Sequence, residues 1–288
     1  MRQLNLGDVV RALDGLYPPD TAQSWDRVGL VTGDPTQPVT RIHFAVDPTM
    51  AVVEEARALG ADLLVTHHPL LLRGIHGVAT TTAKGATVTS LIVGDVALYV
   101  AHTNADVADP GVNDALAAAC GLTDVGPLAE VEGQPLGRLG RLPSPMTLAE
   151  FTQALYAALP AAAGGLRVAG PPDASVETVA VMGGAGDDMF EHVRASGADV
   201  YVTADLRHHP VLEAREEARG GTPYLVDAGH WATESLWLEG AAQRVVDALA
   251  GQGHDASTVD THISTLRTDP WDFVVGAEPA PSAPGGTS

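Results

Sequence analysis

Three short stretches of this 288-residue chain hold the side chains from which chemistry could be built: Thr66-His67-His68-Pro69, His102-Thr103-Asn104-Ala105-Asp106, and Asp227-Ala228-Gly229-His230-Trp231-Ala232-Thr233-Glu234. Imidazole nitrogens together with carboxylate oxygens are a donor set for borderline divalent metals such as zinc, iron, manganese or cobalt. Adjacent residues in a regular strand point to opposite faces, so His67 and His68 can converge only where a strand gives way to a loop. Pro69 favours that transition. The competing use of such a pair is structural, with one ring buried and one exposed. If a helix opens near His230, Glu234 lies one turn further on the same face. Two or three imidazoles with two carboxylates suit a pair of metal ions, the arrangement that activates water and stabilises the entering and leaving oxygens of a hydrolysis.

Each stretch follows a segment that reads as a strand. Thr40–Val46 alternates as a strand, Asp47-Pro48-Thr49 opens a helix running to Gly60, and Ala61–Thr66 is a mostly apolar strand ending at the His-His pair. Ala97–Ala101 is a strand running into His102, with a helix from about Val112 to Cys120. Upstream, Leu6, Val9, Val10, Leu13 and Leu16 have helical spacing and stop at Pro18-Pro19. Thr147-Leu148-Ala149-Glu150 has the form of a capping box, placing a helix from there to Leu159. Beyond it, Glu177–Met182 reads as strand, Asp187–Ser196 as helix, and Ala198–Thr203 and Thr222–Val226 as strands. A long helix spans Trp231 to Leu249. The alternation predicts an α/β class with mostly parallel strands.

The pattern also repeats. At a constant offset of 137, residues 39–66 fall on 176–203, matching Gly60-Ala61-Asp62 to Gly197-Ala198-Asp199 and Val65-Thr66 to Val202-Thr203. Either two βα units have converged on similar helix ends or the chain holds two similar lobes related by internal duplication. On the second reading, lobe one is 1–125, a connecting segment is 126–175, lobe two is 176–270, and 277–288 is a disordered Ala, Pro, Gly and Ser tail. In open sheets of this class, ligands collect at the carboxyl ends of the strands.

Composition excludes several functions. There are 16 Lys and Arg against 36 Asp and Glu, a formal net charge of −20. Phosphate recognition relies on clustered Lys and Arg, and no basic stripe is visible, so no nucleic acid partner is expected. Cys120 is the single cysteine, which excludes an intrachain disulfide framework and any multi-cysteine metal site. The start of the chain lacks the apolar core of a signal peptide, and no apolar run approaches the ~20 residues that cross a bilayer. These features predict a cytoplasmic chain without a membrane partner.

At Trp25-Asp26-Arg27-Val28-Gly29-Leu30, Thr66-His67-His68-Pro69-Leu70, His102–Asp106, Thr203-Ala204-Asp205-Leu206-Arg207-His208-His209 and Asp227–Glu234, the sequence resembles the Nif-three-like family of dinuclear-metal proteins, type two homologues of GTP cyclohydrolase one. The resemblance spans roughly Leu4 to Arg267. It implies metal ligands at His67, His68, Asp106, His230 and Glu234, two divalent metal ions per subunit, two α/β lobes and a homohexamer enclosing a cavity. The activity it implies is hydrolysis of a small metabolite or nucleotide, with GTP cyclohydrolase chemistry suggested by the family label. The alternative is a non-enzymatic metal-binding scaffold, chaperone or regulator. Arg27, Ala105 and Ala204 depart from the family's usual residues and bear on the substrate pocket rather than the ligands. With only a strand or two and one helix over 122–175, the chain reads as the short form without an inserted domain.

Other residues carry two readings each. His209 is a catalytic candidate for proton transfer or a surface histidine beside His208. Asp47 orients a ligand or, as we expect, caps the helix that follows. Gly183-Gly184-Ala185-Gly186 cradles a phosphate or, more simply, forms a tight turn. Trp25 and Trp231 stack on a base or pack. Arg27, Arg73 and Arg207 are the basic residues nearest the motifs, few for a triphosphate.

Overall fold

The computed structural model describes residues 3–276; the tail expected at 277–288 lies outside them. The first lobe contains α1 (Leu6–Leu16), β1 (Gly29–Thr32), β2 (Arg41–Ala45), α2 (Met50–Leu59), β3 (Leu63–Thr66), α3 (Ala83–Val93), β4 (Ala97–Val100), α4 (Thr103–Val107) and α5 (Val112–Ala119). The chain continues through β5 (Thr123–Val131), β6 (Gln134–Thr147), α6 (Leu148–Ala158), β7 (Arg167–Ala169), β8 (Ser175–Ala185), α7 (Phe190–Ser196), β9 (Val200–Ala204), α8 (His208–Glu217) and β10 (Tyr224–Asp227). It then forms α9 (His230–Ser235), α10 (Trp237–Gly251) and β11 (Asp260–Ile263).

Two mixed sheets result, with strand orders β1-β4-β3-β2-β11 and β5-β6-β8-β9-β10-β7. The inner strands β2, β3 and β4 are parallel, as are β8, β9 and β10. The 137-residue offset holds down to the pairing register. Ile42 pairs with Leu63 and Phe44 with Val65; Val179 pairs with Val200 and Val181 with Val202. Each lobe also carries an antiparallel strand on the far side of its third parallel strand, β1 on β4 and β7 on β10.

The repeated Gly-Ala-Asp has the same local physics in both places. Gly60 and Gly197 end α2 and α7 in the left-handed region, at φ 65° and 72°, where a side chain would be strained. Two residues later a carboxylate secures the start of the preceding strand. Asp62 Oδ2 accepts from the N–H of Thr40 and Arg41 at 2.6 and 3.0 Å, and Asp199 Oδ2 accepts from Glu177 and Thr178 at 2.9 and 2.8 Å.

Burial follows the alternation of the strands. One face of the first sheet, with Ile42, Phe44, Val65 and Tyr99, packs on Leu6, Val9 and Leu13 of α1 and Ala241, Val245 and Leu249 of α10. The other face, with Leu64, Leu98 and Val100, packs on Val52, Val53 and Ala56 of α2 and Leu91 of α3. In α1, Asn5 and Asp8 form a capping box, a device that stabilises a helix start by about 1 kcal/mol.

The segment expected to connect the lobes instead supplies β5, β6 and β7 to the second sheet. At the other end, β11 lies within the stretch assigned to lobe two but returns to the first sheet beside β2. The expected 231–249 helix divides at Leu236 into α9 and α10.

A His and carboxylate cluster between the two lobes

β3 ends at Thr66, and the chain leaves the sheet with the N–H groups of His67 and His68 still bonded to Ala45 and Val46 carbonyls. Both rings are thereby brought to one end of the sheet, their centroids 5.1 Å apart. His67 is fully buried, and its Nδ1 lies 2.9 Å from the carbonyl of Ala101. A carbonyl only accepts, so Nδ1 carries the proton and Nε2 is left with its lone pair. That lone pair faces Glu234 Oε1 at 3.4 Å and Asp106 Oδ1 at 3.7 Å.

From the second lobe, β10 ends at Asp227 and Gly229 leads into α9, which places His230 and Glu234 one turn apart with Nε2 and Oε1 at 3.0 Å. His230 Nε2 comes within 3.2 Å of His68 Nε2, and His68 Nε2 stands 3.1 Å from Glu234 Oε2. Thus all five expected ligands come together. Asp106 reaches the group from the first turn of α4.

The outward nitrogens are anchored. His68 Nδ1 is 2.7 Å from Asp47 Oδ1, and His230 Nδ1 is 2.8 Å from Asp205 Oδ2. Asp47 therefore does not cap α2, as expected from sequence; Thr49 does, accepting from Val52 N–H. Leaving the cap to Thr49 frees the carboxylate to hold the His68 ring. At the 137 offset Asp205 occupies the position of His68, and Gly184 that of Asp47. Equivalent strand ends of the two lobes thus contribute different parts of one site.

His102 opens one of the three motifs but is not among the five expected ligands. The structure puts it 5.1 Å from the His67 ring and 5.5 Å from the His68 ring, with Nδ1 held at 2.9 Å by Asp26 Oδ1. Asp26 also accepts from the N–H and hydroxyl of Thr103 at 3.0 and 2.6 Å, so Trp25-Asp26-Arg27 clamps the start of α4. Its signal was the histidine opening the same motif as Asp106.

Three readings left open by the sequence resolve as follows. His209 is exposed on α8, its ring edge-on to His208 with centroids 5.1 Å apart, and it makes no contact with the cluster. The glycine run is neither a phosphate cradle nor a simple turn. Gly183 and Gly184 donate their N–H groups to Asn113 Oδ1 and Thr233 Oγ1, and a Cβ on Gly184 would overlap Glu234 Oε1 and approach His230 Nε2 to 3.1 Å. Trp25 is half exposed, edge-on to His102, whereas Trp231 packs against the core and lines the adjoining cavity.

The electrostatics call for a cation. His67 Nε2, Asp106 Oδ1 and Glu234 Oε2 are buried without a hydrogen-bond partner, a costly state for three atoms that bear lone pairs. The 3.1 Å approach of His68 to Glu234 Oε2 lacks hydrogen-bond geometry, so it does not relieve this. Burial pushes Asp106 up to about 7, with Glu234 adding to the rise and His102 opposing it. Burial alone would lower His68 and His230, but Glu234 with Asp47 and Asp205 outweighs it and raises them to about 10 and about 11. Burial would raise Glu234, yet the surrounding His68, His67 and His230 hold it well below the usual carboxylate range. Two overlapping donor groups, His67-His68-His102 and His68-His230-Glu234, each have ligand atoms within 4.8 Å of one another. This donor set fits divalent metal.

A cavity of about 790 Å3 opens beside His68 and His230, lined also by Trp231, Trp271, Arg167 and the carboxylates of Asp47, Asp205, Asp227 and Asp269. Its single arginine is paired with Asp227. Arg207, expected as a phosphate contact, is exposed and paired with Asp187, and Arg27 and Arg73 do not line the cavity. Among the described residues no helix is long and apolar enough to cross a membrane.

Fold and site together define a two-lobed α/β protein with a His and carboxylate cluster that could hold metal, set where parallel strand ends of both sheets meet. Residues 4–270 match the Duf34/NIF3 (NGG1p interacting factor 3) family model, and the chain belongs to that family. It is 51% identical over 285 residues to a Streptomyces coelicolor protein named GTP cyclohydrolase 1 type 2 homolog, covering 97% of this chain and 98% of that one. A Mycobacterium tuberculosis protein of the same name is 35% identical over an alignment of 379 residues, covering 94% and 97%. The longer alignment marks this chain as the short form. Among solved structures, a Bacillus cereus protein related to NIF3 superposes with a TM-score of 0.85 at 25% identity, covering 95% of this chain and all of that one. A Staphylococcus aureus hypothetical protein gives a TM-score of 0.86 at 26% identity, with the same coverage.

Proposed function

We propose that this chain is a dinuclear metal-dependent hydrolase acting on a small substrate in the cavity beside His68 and His230. The observation that carries the reading is the set of three buried lone-pair atoms without a hydrogen-bond partner, His67 Nε2, Asp106 Oδ1 and Glu234 Oε2, gathered from two lobes, with His67 Nε2 facing Asp106 Oδ1 and the Glu234 carboxylate. His67, His68, Asp106, His230 and Glu234 would hold the ions, with Glu234 presenting one oxygen toward His67 and His230 and the other toward His68. When bound, two divalent ions would supply Lewis-acid activation of water and of the substrate. The protein's own part is to orient the rings through Asp47, Asp205 and Asp26, and to bury His67, Asp106 and Glu234 while His68 and His230 face the cavity.

The cavity lining bears on the substrate. Four aspartates and one paired arginine favour a neutral or cationic group over a triphosphate, whose charge such walls repel. The relatives' name suggests GTP, and that substrate would depend on the metals for its phosphate contacts. The homohexamer implied by resemblance belongs to the same proposal, and sedimentation would measure it.

The test is turnover by metal-replete protein on GTP and on neutral, cationic and phosphoester substrates, following formate and phosphate. Release that His68→Ala abolishes, with the oligomer intact, supports the enzyme. No turnover over the panel sinks it and leaves a metal-binding scaffold. Elemental analysis should find about two ions per chain that are lost in a His68→Ala/Glu234→Gln variant, and clearly fewer ions in Asp106→Ala than in the parent; unchanged content in Asp106→Ala removes Asp106 from the ligand set.

A further inference from the structure

The first sheet contains a second group of metal-type donors far from the interlobe cluster in sequence and on different strands. His43 of β2 is fully buried. In the parallel pair of β2 with β11 its register partner is His262, so the two imidazoles project from neighbouring strands on the same face of the sheet. Their Nδ1 atoms face one another at 3.0 Å, with ring centroids 4.9 Å apart. On that face α2 supplies Glu55, whose Oε2 lies 3.0 Å from His43 Nε2. Ser264 also donates its hydroxyl to this carboxylate oxygen at 2.5 Å.

The protons can be placed. A carboxylate that already accepts from Ser264 accepts from His43 as well, so Nε2 carries the proton and Nδ1 of His43 presents a lone pair. A carboxylate behind an imidazole raises its basicity and fixes its ring, which is how histidine ligands of metals are commonly held. The partner nitrogen stands close to the ~3.3 Å spacing that two ligands ~2.0–2.1 Å from a tetrahedral ion adopt. One donor atom each from His43, Glu55 and His262 lies within 4.8 Å of the others.

We propose that His43, Glu55 and His262 form a separate site for a single borderline divalent cation, with the two Nδ1 atoms as ligands and Glu55 balancing the charge. Two imidazole nitrogens supply half of a tetrahedral ion's ligands, and water entering past the partly exposed His262 would complete it. The site is structural: it fastens β11 to β2 and α2. From β11 the chain runs on through Thr268, which donates its hydroxyl to Asp47, to the residues lining the cavity. The alternative occupant of the gap between the two rings is a proton, as a plain hydrogen bond between His262 and His43.

The experiment is cobalt and zinc binding by the full chain in a His68→Ala/Glu234→Gln background, which disables the interlobe cluster without touching β2 or β11. That protein should retain about one equivalent of metal, with a cobalt absorption band of imidazole coordination, and should melt at higher temperature when zinc is added. Adding His262→Ala or His262→Asn should remove the equivalent, the band and the zinc-dependent shift together. In the otherwise unaltered protein, His262→Ala should lower metal content by about one equivalent. His262 is partly exposed, so neither substitution opens a buried cavity, and circular dichroism of the metal-free variants checks the fold. Absence of metal in the double variant, or metal that persists after both His262 substitutions, overturns the site and leaves the proton bridge.

Discussion

The Nε2 atoms of His68 and His230 stand 3.2 Å apart, although the residues are 162 positions apart and follow strands of different sheets. Each ring is held from behind by an aspartate, Asp47 or Asp205, which lowers its freedom to turn away. Two basic nitrogens at that distance need something between them. Glu234 and the two aspartates push both rings far above the usual imidazole range, so in the metal-free chain protons take the place of a cation.

Metal loading should therefore compete with protons. At pH 7 the metal-free protein holds His68 and His230 protonated, at about 10 and about 11. Binding should release about two protons per chain and weaken as pH falls. Calorimetry in buffers of different ionisation enthalpy would count them, and pH-independent affinity would contradict the assignment. For the metal-free fold the sign is the usual one for a raised histidine. Its contribution is fully present below the unfolded value of roughly 6.5 and is lost as pH rises through about 10 and 11.

Asp47→Asn tests the anchor. It preserves size but removes the charge beside His68 Nδ1, and should weaken metal binding by ~10–100-fold, with a lower melting temperature of the metal-free chain at pH 7 as the His68 contribution falls. Competition with a chromophoric chelator gives the affinity. A variant that binds as tightly as the parent would show that Asp47 does not orient the ring.

Gly184→Ala should be more damaging than its size suggests. The residue has φ 68°, which costs a non-glycine residue about 1–2 kcal/mol, and the new methyl overlaps Glu234 Oε1. We expect a folded protein that has lost the metal of the interlobe cluster, seen as a fall in metal content by elemental analysis alongside circular dichroism. Full metal occupancy would mean that Glu234 tolerates displacement.

The duplicated helix ends give a matched pair. Asp62→Ala and Asp199→Ala each leave two backbone N–H groups without their acceptor, and each should cost about 1–3 kcal/mol in urea unfolding. Loss at one position only would mean that one lobe does not limit global stability.

How much of this was legible in the sequence depends on whether a residue's local pattern reported its surroundings. Apolar strands flanked by glycine-capped helices announced β2, α2, β3 and their repeats, and the repeat itself gave the correct register. By contrast β6 carries Pro135, Pro143 and Pro145, and β5 carries Gly126-Pro127, which erase a strand's signature although both extend a sheet. α8 buries only Ala214, so no apolar periodicity marks it. The five expected ligand positions came from the family resemblance, carried by motifs whose residues are local in sequence. Asp47, Asp205 and Asp26 were harder, because their role exists only across distances of 21, 25 and 76 residues.

The return of β11 to the first sheet makes the second lobe an insertion in the first, joined at both ends. Such a lobe is sutured rather than hinged. His230 and Glu234 cannot swing clear of His67 and His68 by bending one linker; two chain crossings, the one after α5 and the one at Leu236 between α9 and α10, would have to bend together. The cluster therefore sits across a seam that the chain crosses twice, so its two halves are tied together from both sides.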